Sequence, residues 1–579
     1  MFTYKSPFKP ALLLLGLILF FSVQDLAAQQ LDFDEINVIA PYEPTISDAF
    51  KINFTPQIVD TIEVDIAFDY RISPTMIPVK FDPKPLSPAR MRGEPLAKLY
   101  KGQVKAGIGS YTTPYLEAFY NTLRSNEYAY GVQLKHLSST GKLEDYAHSG
   151  YADNLFNIYG KRFWDNHTLA ANLDLQSNMV HYYGFKPEDY HDDYEDFIND
   201  LSKKDYRQRF LYASPSVNLS SNYLDSTKLQ HDIELQYYYL SDRYDATEQS
   251  LGFNTKVGRS LGEDPMGFAE RQHFEMDFSI DYFHNQDLLD TTNKALFQLT
   301  PTLSSSYQDF DFYVGINTAL QADEISYMRF YPKAGAQVNL IDEVLYAYAT
   351  LSGEMKKHSM QSFSRRNPFA NTSLQYAFMS KKSELKGGFK GSISSYASYN
   401  ISVTNSTIDN YPFFVTDFSN PLNFDAPLNN TFDVVYDDIR LFNFNAEVFS
   451  NIGERLKVRF AADYYEFTMD EQDQPWHEPT VKLTLNFLYN MQDKILLTAD
   501  TYARNSVYAR VIDENNPFAF TSEEIHGFHV DVNFGIEYRY TKILSVFLNL
   551  NNVQNQPLER WYNYPSQKFN ILGGVTYAF

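Results

Sequence analysis

The chain has twelve histidines and several clusters of charged residues, and these are the side chains whose types could support chemistry. The histidines are scattered, and the sequence contains no G-x-S-x-G nucleophile motif, no H-E-x-x-H zinc motif and no glycine-rich phosphate loop. The stretch HEPT at 477–480 begins like a zinc helix, but Pro479 breaks it and no second histidine follows. The sequence therefore predicts no enzyme, no catalytic residue, no metal site and no cofactor.

An acidic stretch, KPEDYHDDYEDFINDLSKKD at 186–205, surrounds several aromatic residues. Its carboxylates could hold a calcium ion, but a calcium loop normally supplies turn glycines, and this stretch has none. We expect a solvated acidic surface loop that is available to a partner at the cell surface. The residues assigned to this acidic surface loop are Asp189, Asp192, Asp193, Glu195 and Asp196.

Two basic stretches, SFSRRNPF at 362–369 and SKKSELK at 380–386, contain the cations Arg365, Arg366, Lys381 and Lys382. A membrane protein could turn such cations toward lipid phosphates. Exposed basic residues are more often simply solvated. Both interpretations remain open at this stage.

The composition favours a membrane surface and excludes nucleic acid as a partner. Aromatic residues make up 16% of the chain, as 45 Tyr and 46 Phe against 3 Trp, while the net charge is -23. Tyrosine suits a position where the ring faces lipid and the hydroxyl reaches headgroups or water. Nucleic acid calls for a basic face, which this acidic chain does not supply.

The N-terminal region divides into a leader and an arm. Lys5 and Lys9 precede an apolar run at 11–23, and LAAQ at 26–29 offers a cleavage point after Ala28. This pattern predicts a secretory signal peptide at 1–28, since the run is shorter than the roughly 20 residues of a spanning helix. Residues 29–99 form a proline-rich arm, predicted to be periplasmic, with one clear strand at 62–72.

From residue 100 onward, runs of alternating polarity are separated by connections that tend to be short and long in turn. Short ones occur at 124–129, 164–168, 224–228, 340–344, 451–456, 491–494 and 540–543; long ones at 139–153, 185–208, 357–382, 411–431, 469–479 and 510–527. The runs are long enough to cross a bilayer as tilted strands. We predict an all-β protein: a transmembrane antiparallel up-and-down β-barrel of about 22 strands at 100–579. The weakest stretch is 252–296, where the connection at 262–272 is long although the pattern requires a short one.

The chain ends on FNILGGVTYAF at 569–579, which alternates aromatic and aliphatic residues on one strand face. An even number of strands lets this last strand pair with the first and leave no edge. The ending also resembles the signal by which the barrel-assembly machinery recognises outer-membrane proteins. The residues assigned to that signal are Phe569, Ile571, Val575, Tyr577 and Phe579.

The last hairpin, at 548–579, resembles the closing hairpin of TonB-dependent receptors, with Asn549, Asn551, Trp561, Tyr564 and Pro565 in matching places. DEINVIA resembles the TonB box, which in that family pairs as a strand with the energy-coupling protein TonB. Its residues are Asp34, Glu35, Ile36, Asn37, Val38, Ile39 and Ala40. An extended arm with chance alternation is the alternative.

The arm departs from the family pattern, because its nine prolines and single glycine, Gly93, suit an extended tether better than a packed plug. We expect a reduced or absent plug, with the arm either in or beneath the lumen or bound to a partner. The short turns at 60–62, 225–227 and 290–292 resemble glycosylation sequons of Bacteroidota envelope proteins and hint at the source.

These observations predict a protein of the outer membrane of a Gram-negative bacterium, in contact with outer-membrane lipid. Its expected role is to bind or pass an unknown small-molecule ligand at the cell surface, with TonB or another envelope protein as a periplasmic partner. The alternative role is a structural or assembly barrel that transports nothing and whose arm docks other envelope proteins.

Overall fold

The computed structural model describes residues 98–579, except 142, 191–193, 262–270, 288–289, 420–421, 423–427, 454, 514–515 and 526. The predictions for the signal peptide, for the arm up to residue 97 and for Asp34–Ala40 fall outside the described residues. Asp192 and Asp193 of the acidic loop fall outside them too.

The described part of the chain is built almost entirely of β-strands, as the alternating polarity predicts. In chain order they are β1 (Gly102–Gly109), β2 (Thr113–Asn121), β3 (Tyr128–Ser139), β4 (Tyr151–Phe163), β5 (His167–His181), β6 (Arg207–Ser221), β7 (Gln230–Ser241), β8 (Thr247–Ser260), β9 (Arg271–Gln286), β10 (Thr291–Tyr307), β11 (Phe310–Ala322), β12 (Tyr327–Ile341), β13 (Leu345–Lys357), β14 (Phe378–Ser394), β15 (Ala397–Asp417), β16 (Thr431–Ile452), β17 (Leu456–Met469), β18 (Val481–Met491), β19 (Ile495–Arg504), β20 (Val507–Asp513), β21 (Asn516–Ile525), β22 (His529–Arg539), β23 (Leu544–Asn551), β24 (Glu559–Trp561), β25 (Tyr564–Pro565) and β26 (Asn570–Ala578).

One sheet of 22 strands closes on itself. Each strand pairs antiparallel with the next along the chain, except that β20–β21 and β24–β25 form two separate hairpins. The last strand β26 pairs with β1, from Gln103 opposite Ala578 to Gly109 opposite Leu572. Phe579 completes the seam, since its N–H donates to the Gly102 carbonyl over 2.9 Å and its carbonyl accepts from Lys101 N–H over 2.8 Å. The predicted antiparallel barrel of 22 strands is confirmed.

Large apolar side chains cover the outer face of the barrel. On β26, Ile571, Val575 and Tyr577 are exposed while the intervening Thr576 is buried. The same alternation on other strands exposes Leu134, Ile158 and many similar residues. A continuous outward belt of this kind is stable against lipid rather than water. In the described part of the chain, no helix combines the length and the apolar character needed to span a bilayer.

The two ends of the barrel differ in the length of their connections. One end, called here the terminal end, holds the start of β1, the end of β26 and mostly tight turns, such as those between β10 and β11 and between β12 and β13. The opposite end, called the loop end, holds the long connections. β8 ends and β9 begins at the terminal end, so the long connection predicted between them does not change the strand count. In outer-membrane barrels short turns face the periplasm, so the loop end is the extracellular end.

The loop end contains structure that the sequence did not predict. The hairpin β20–β21 occupies most of the predicted loop at 510–527, and β15 continues to Asp417 within the loop predicted at 411–431. Two short α-helices, Glu195–Asp200 and Met360–Arg366, and one 3-10 helix, Pro187–Asp189, lie in other connections.

Candidate functional site

Connections at the loop end fold inward and pack against one another, and we call this assembly the cap. Its apolar core combines residues from the β13–β14 connection with residues from β6, β7, β15, β16 and the hairpin β24–β25. The largest members are Tyr212, Tyr238, Phe363, Tyr376, Phe414, Phe432, Trp561 and Tyr564. Aromatic side chains bury large areas, so this core stabilises loops that would otherwise be mobile.

Loops from opposite walls of the barrel meet in the cap. Tyr182, directly after β5, is 1% exposed, and its carbonyl accepts from Asn430 Nδ2 over 2.6 Å. Asn430 lies just before β16, about halfway around the 22-strand sheet from β5. Tyr564, in the hairpin β24–β25, donates a hydrogen bond to the Asn430 carbonyl and stacks on Phe369 with ring centroids 3.9 Å apart. The cap therefore reaches across the barrel axis.

A buried carboxylate fixes the helix Met360–Arg366 within the cap. Glu248 at the start of β8 is 0% exposed and accepts hydrogen bonds from Met360 N–H over 2.8 Å and Gln361 N–H over 3.1 Å. Tyr238 Oη and Asn285 Nδ2 also donate to it, over 2.8 and 2.6 Å. The helix N-terminus favours negative charge, and four donors compensate the loss of water around the buried carboxylate.

The same helix turns Arg365 and Arg366 toward the lumen, which excludes for these two residues the interpretation that they face lipid phosphates. Arg365 lies over the ring of Tyr212, and Arg366 forms an ion pair with Glu478. Burial alone would lower the pKa of Arg366, but the charge of Glu478 outweighs it, so the pKa of Arg366 is raised. The apolar side chains Met360 and Phe363 hold this helix in the cap, because their burial is favourable and Arg366 keeps an ion-pair partner there.

His477 lies in the cap, close to the ion pair of Arg366 and Glu478. Its Nδ1 lies 2.9 Å from the Phe414 carbonyl, and its Nε2 accepts from Tyr562 N–H over 3.3 Å. Burial lowers the pKa of His477 to about 4, although the bond to Phe414 opposes the shift. The imidazole is therefore neutral at physiological pH, donating through Nδ1 and accepting through Nε2.

Next to the cap lies a chamber of about 1110 Å³. One wall consists of side chains near the loop ends of β4, β5, β18, β19 and β22, such as Asp153, Asn178, Thr484, Arg504 and Asp531. The cap supplies the other wall through Arg365, Glu478, Arg560 and Trp561. The chamber is therefore at the loop end of the lumen.

The chamber lining mixes charged, amide and apolar side chains and is almost balanced in charge. The basic residues are Arg365, Arg366, Lys482, Arg504 and Arg560; the acidic residues are Asp153, Glu478, Asp531 and Glu559; the amides are Gln176, Asn178, Gln361, Asn533, Asn551, Asn552, Gln567 and Asn570. Tyr183, Tyr212, Tyr502 and Trp561 add aromatic surface. Such a lining can hold a polar solute by several directed hydrogen bonds and by contact with its apolar faces.

Of the described residues assigned to the acidic surface loop and to the assembly signal, none lines this chamber, whereas Arg365, Arg366 and Trp561, which the sequence singled out for other reasons, do line it. Asp189, Glu195 and Asp196 lie exposed on short helices of the β5–β6 connection. Ile571, Val575, Tyr577 and Phe579 lie on the outward face of the barrel, and Phe569 precedes β26 half-buried. The chamber residues were missed because they come from distant strands. A usable signal was the apolar and aromatic content of long loops such as SFSRRNPF and WYNYP.

The closed antiparallel sheet of 22 strands is similar in fold to the barrels of solved TonB-dependent siderophore receptors. The pyoverdine outer-membrane receptor FpvA from Pseudomonas aeruginosa, bound to pyoverdine, is similar, with 13% identity, 83% of this chain and 79% of that chain covered, and a TM-score of 0.62. The siderophore receptor PirA from Acinetobacter baumannii is similar at 9% identity, and the match covers 84% of this chain and 81% of the PirA chain with a TM-score of 0.61. The ferric-catecholate import receptor Fiu from E. coli is similar at 12% identity over 83% and 82%, with a TM-score of 0.58.

No protein-family model matches the chain, and no curated protein matches it. At this level of identity the similarity concerns the fold. Together with the outward apolar belt, that fold identifies the chain as an outer-membrane β-barrel, and the predicted location in the outer membrane is confirmed.

Proposed function

We propose that this protein is a receptor barrel that binds a polar solute in the chamber and passes it across the outer membrane. The observation that carries this proposal is the chamber itself, whose volume and convergent charged, amide and aromatic side chains are those of a ligand site. The cap acts as the outer gate, because it must move before a solute can enter from outside. The protein acts by binding and transport, not as an enzyme.

The remaining predictions fit into this proposal. The segment Asp34–Ala40 pairs with TonB and couples transport to energy, and the proline-rich arm at 29–99 links that segment to the barrel. The leader at 1–28 directs export, and the last strand is recognised by the barrel-assembly machinery.

The receptor role is tested with ferric enterobactin as the probe, since ferric catecholates are among the compounds named for similar barrels. Binding to the purified full chain is followed by quenching of tryptophan fluorescence, because Trp561 lines the chamber. Asn533→Trp fills the chamber and is expected to weaken binding at least about tenfold, the loss of roughly 1.4 kcal/mol. Asn254→Trp places the same bulk on the inner wall outside the chamber and should leave binding unchanged.

Equal binding by both variants would contradict a ligand site in the chamber. If the unaltered chain does not bind this probe, a neutral oligosaccharide such as maltoheptaose serves as the second probe with the same pair of variants. Failure of both probes would count against a receptor for either class of solute.

The cap gives specific support to the second candidate, a structural or assembly barrel. Its core is tightly packed and its loops hydrogen-bond across the axis, which suits a barrel that stays closed. A photoreactive residue at Val38 distinguishes the two roles. Cross-linking to the periplasmic domain of TonB supports the receptor, while cross-linking to another envelope protein, without TonB, supports the assembly role.

A further inference from the structure

A groove of about 550 Å³ lies on the outer wall of the barrel near the loop end of β3–β7. Residues paired across antiparallel strands share a face, and one row of such pairs runs from Leu134 through Phe156, Leu175 and Ala213 to Tyr239. Leu134, Leu175 and Tyr239 are exposed, so the row belongs to the outward belt. The groove is therefore an apolar depression that faces lipid.

The next row toward the loop end faces the same way but is polar on β3, β4 and β5, and Leu211 on β6 continues it as an apolar side chain. It pairs His136 with Asn154 and Asn154 with Ser177. His136 Nδ1 lies 2.7 Å from Asn154 Oδ1, and Asn154 Nδ2 donates to the Ser177 carbonyl over 3.0 Å. Polar side chains that replace leucine and phenylalanine at this level mark the boundary between acyl chains and headgroups.

Cations gather directly above that boundary. Arg207 and Arg209 alternate with buried residues at the start of β6, and Arg209 Nε donates to Ser177 Oγ over 3.1 Å. Arg243 reaches from the neighbouring β7–β8 connection and donates to the carbonyls of Lys204 and Arg207. Lys204, Arg207, Arg209 and Arg243 thus form one basic patch, in a chain whose net charge is -23.

The cations of this basic patch differ from others in the chain in their ion pairing. Over the residues that the structure describes, none of the four has a carboxylate oxygen within 4.0 Å, whereas Arg366, Lys381 and Lys382 each have at least one. The acids next to these cations along the chain are engaged elsewhere: Asp205 accepts from Ser202 N–H over 2.8 Å, and Asp242 accepts from Gln208 Nε2 over 2.9 Å. Unpaired guanidinium groups at a membrane surface are suited to bind phosphate.

We propose that this groove and patch bind one phosphorylated, multiply acylated glycolipid of the lipid A class. An acyl chain lies along Leu134, Leu175 and Tyr239, and a headgroup phosphate lies against Arg209 and Arg243. The loop end faces the extracellular side, so the bound lipid comes from the outer leaflet. The apolar groove fits an acyl chain, and the cations beside it fit a phosphate. The site is on the opposite face of the wall from the lumen, so it is independent of the chamber.

The experiment measures lipid retained on the purified full chain by native mass spectrometry, after detergent exchange and addition of diphosphoryl lipid A. Arg209→Gln with Arg243→Gln removes two charged donors, and retention is expected to fall at least about tenfold. Arg162→Gln is the matched control, since Arg162 is an exposed arginine at the opposite rim. The control variant should retain as much lipid A as the unaltered chain.

Two further measurements separate the acyl and the phosphate contributions. Ala213→Trp fills the groove without touching the charges and should also abolish retention, whereas Ala171→Trp, nearer the terminal end, should not. Dephosphorylated lipid A should be lost from the unaltered chain, and phosphatidylglycerol should be retained less than lipid A. Equal retention by the double glutamine variant, or equal retention of the dephosphorylated lipid, would overturn the proposal in favour of a nonspecific lipid annulus.

Discussion

At the scale of single residues, Glu248 is the contact on which the cap helix depends. Glu248→Gln keeps the size but removes the charge and places an amide donor among four existing donors. We expect the helix Met360–Arg366 to be destabilised by about 2–4 kcal/mol, the cost of disrupting a buried charged network. Hydrogen exchange of the helix amides measures this as faster opening.

The matched control for this change is Glu127→Gln at the terminal end. The Glu127 side chain is 73% exposed and pairs with Arg162, so its loss should change hydrogen exchange of the cap by less than about 0.5 kcal/mol. Unchanged exchange of the helix in Glu248→Gln would show that packing alone holds the cap.

His477 makes the cap sensitive to acid. Its pKa falls to about 4 in the folded cap because of burial, while an exposed histidine titrates near 6.5. The opened cap therefore binds one more proton between these pH values, and its stability falls as the pH falls through that window. At pH 5 the loss should reach about 2 kcal/mol, at roughly 1.4 kcal/mol per pH unit.

Hydrogen exchange of cap amides between pH 7.5 and pH 5, corrected for intrinsic rates, measures this slope. Burial also lowers the pKa of His358, to about 3, so His358 adds to the slope in the same direction. His477→Gln should reduce the slope, and an unchanged slope in that variant would rule out His477 as its origin.

At the scale of elements, the seam between β1 and β26 depends on both ends of the chain. A Cβ atom added at Gly102 would lie 2.5 Å from the ring of Phe579, so this ring covers the glycine of the first strand and would have to shift to accept a larger residue. Phe579 is 50% exposed on the outward face, while its backbone holds the seam. The side chain is thus available for recognition before the barrel closes.

We therefore expect Phe579→Ala to reduce assembly in cells more than stability of the folded barrel. Most of the heat-modifiable, folded species should disappear from outer-membrane fractions, while protein refolded in detergent should close normally. Phe534→Ala, which removes an equally outward ring from β22, should assemble as the unaltered chain does. Equal loss in both variants would indicate a general need for apolar surface and no terminal signal.

At the scale of the whole molecule, we expect the cap to decide whether the barrel conducts. Replacing 359–376 by a short Ser-Gly linker removes the helix, Phe369 and Tyr376 from the barrel axis. This variant should produce large conductance steps in planar bilayers, whereas the unaltered chain should produce none. Replacing 225–227 in a turn at the terminal end should leave the unaltered behaviour.

The same variants in a chain without residues 29–97 separate the cap from the arm. If the cap closes the mouth, the shortened chain still shows no large steps, and opening requires loss of 359–376. Large steps from the shortened chain with an intact cap would contradict closure by the cap.

The sequence alone predicted the architecture, because its signals are local. The alternation along strands such as β22 and β26 depends on neighbouring residues, and so do the lengths of the connections. Together they predicted the number of strands and their antiparallel order. They also predicted that Ile571, Val575 and Tyr577 point outward. The resemblance to TonB-dependent receptors identified the same barrel that solved structures show at 9 to 13% identity.

The tertiary structure alone revealed the cap and the chamber. Tyr182 and Asn430 are 248 residues apart, and Arg366 and Glu478 are 112 apart, yet each pair forms a contact. No local pattern encodes such pairs, since closing the barrel is what brings the loops together. Nothing in the sequence indicates that Arg366 is anything but an exposed cation, yet it is a half-buried ion-pair partner because Met360 and Phe363 bury its helix in the cap.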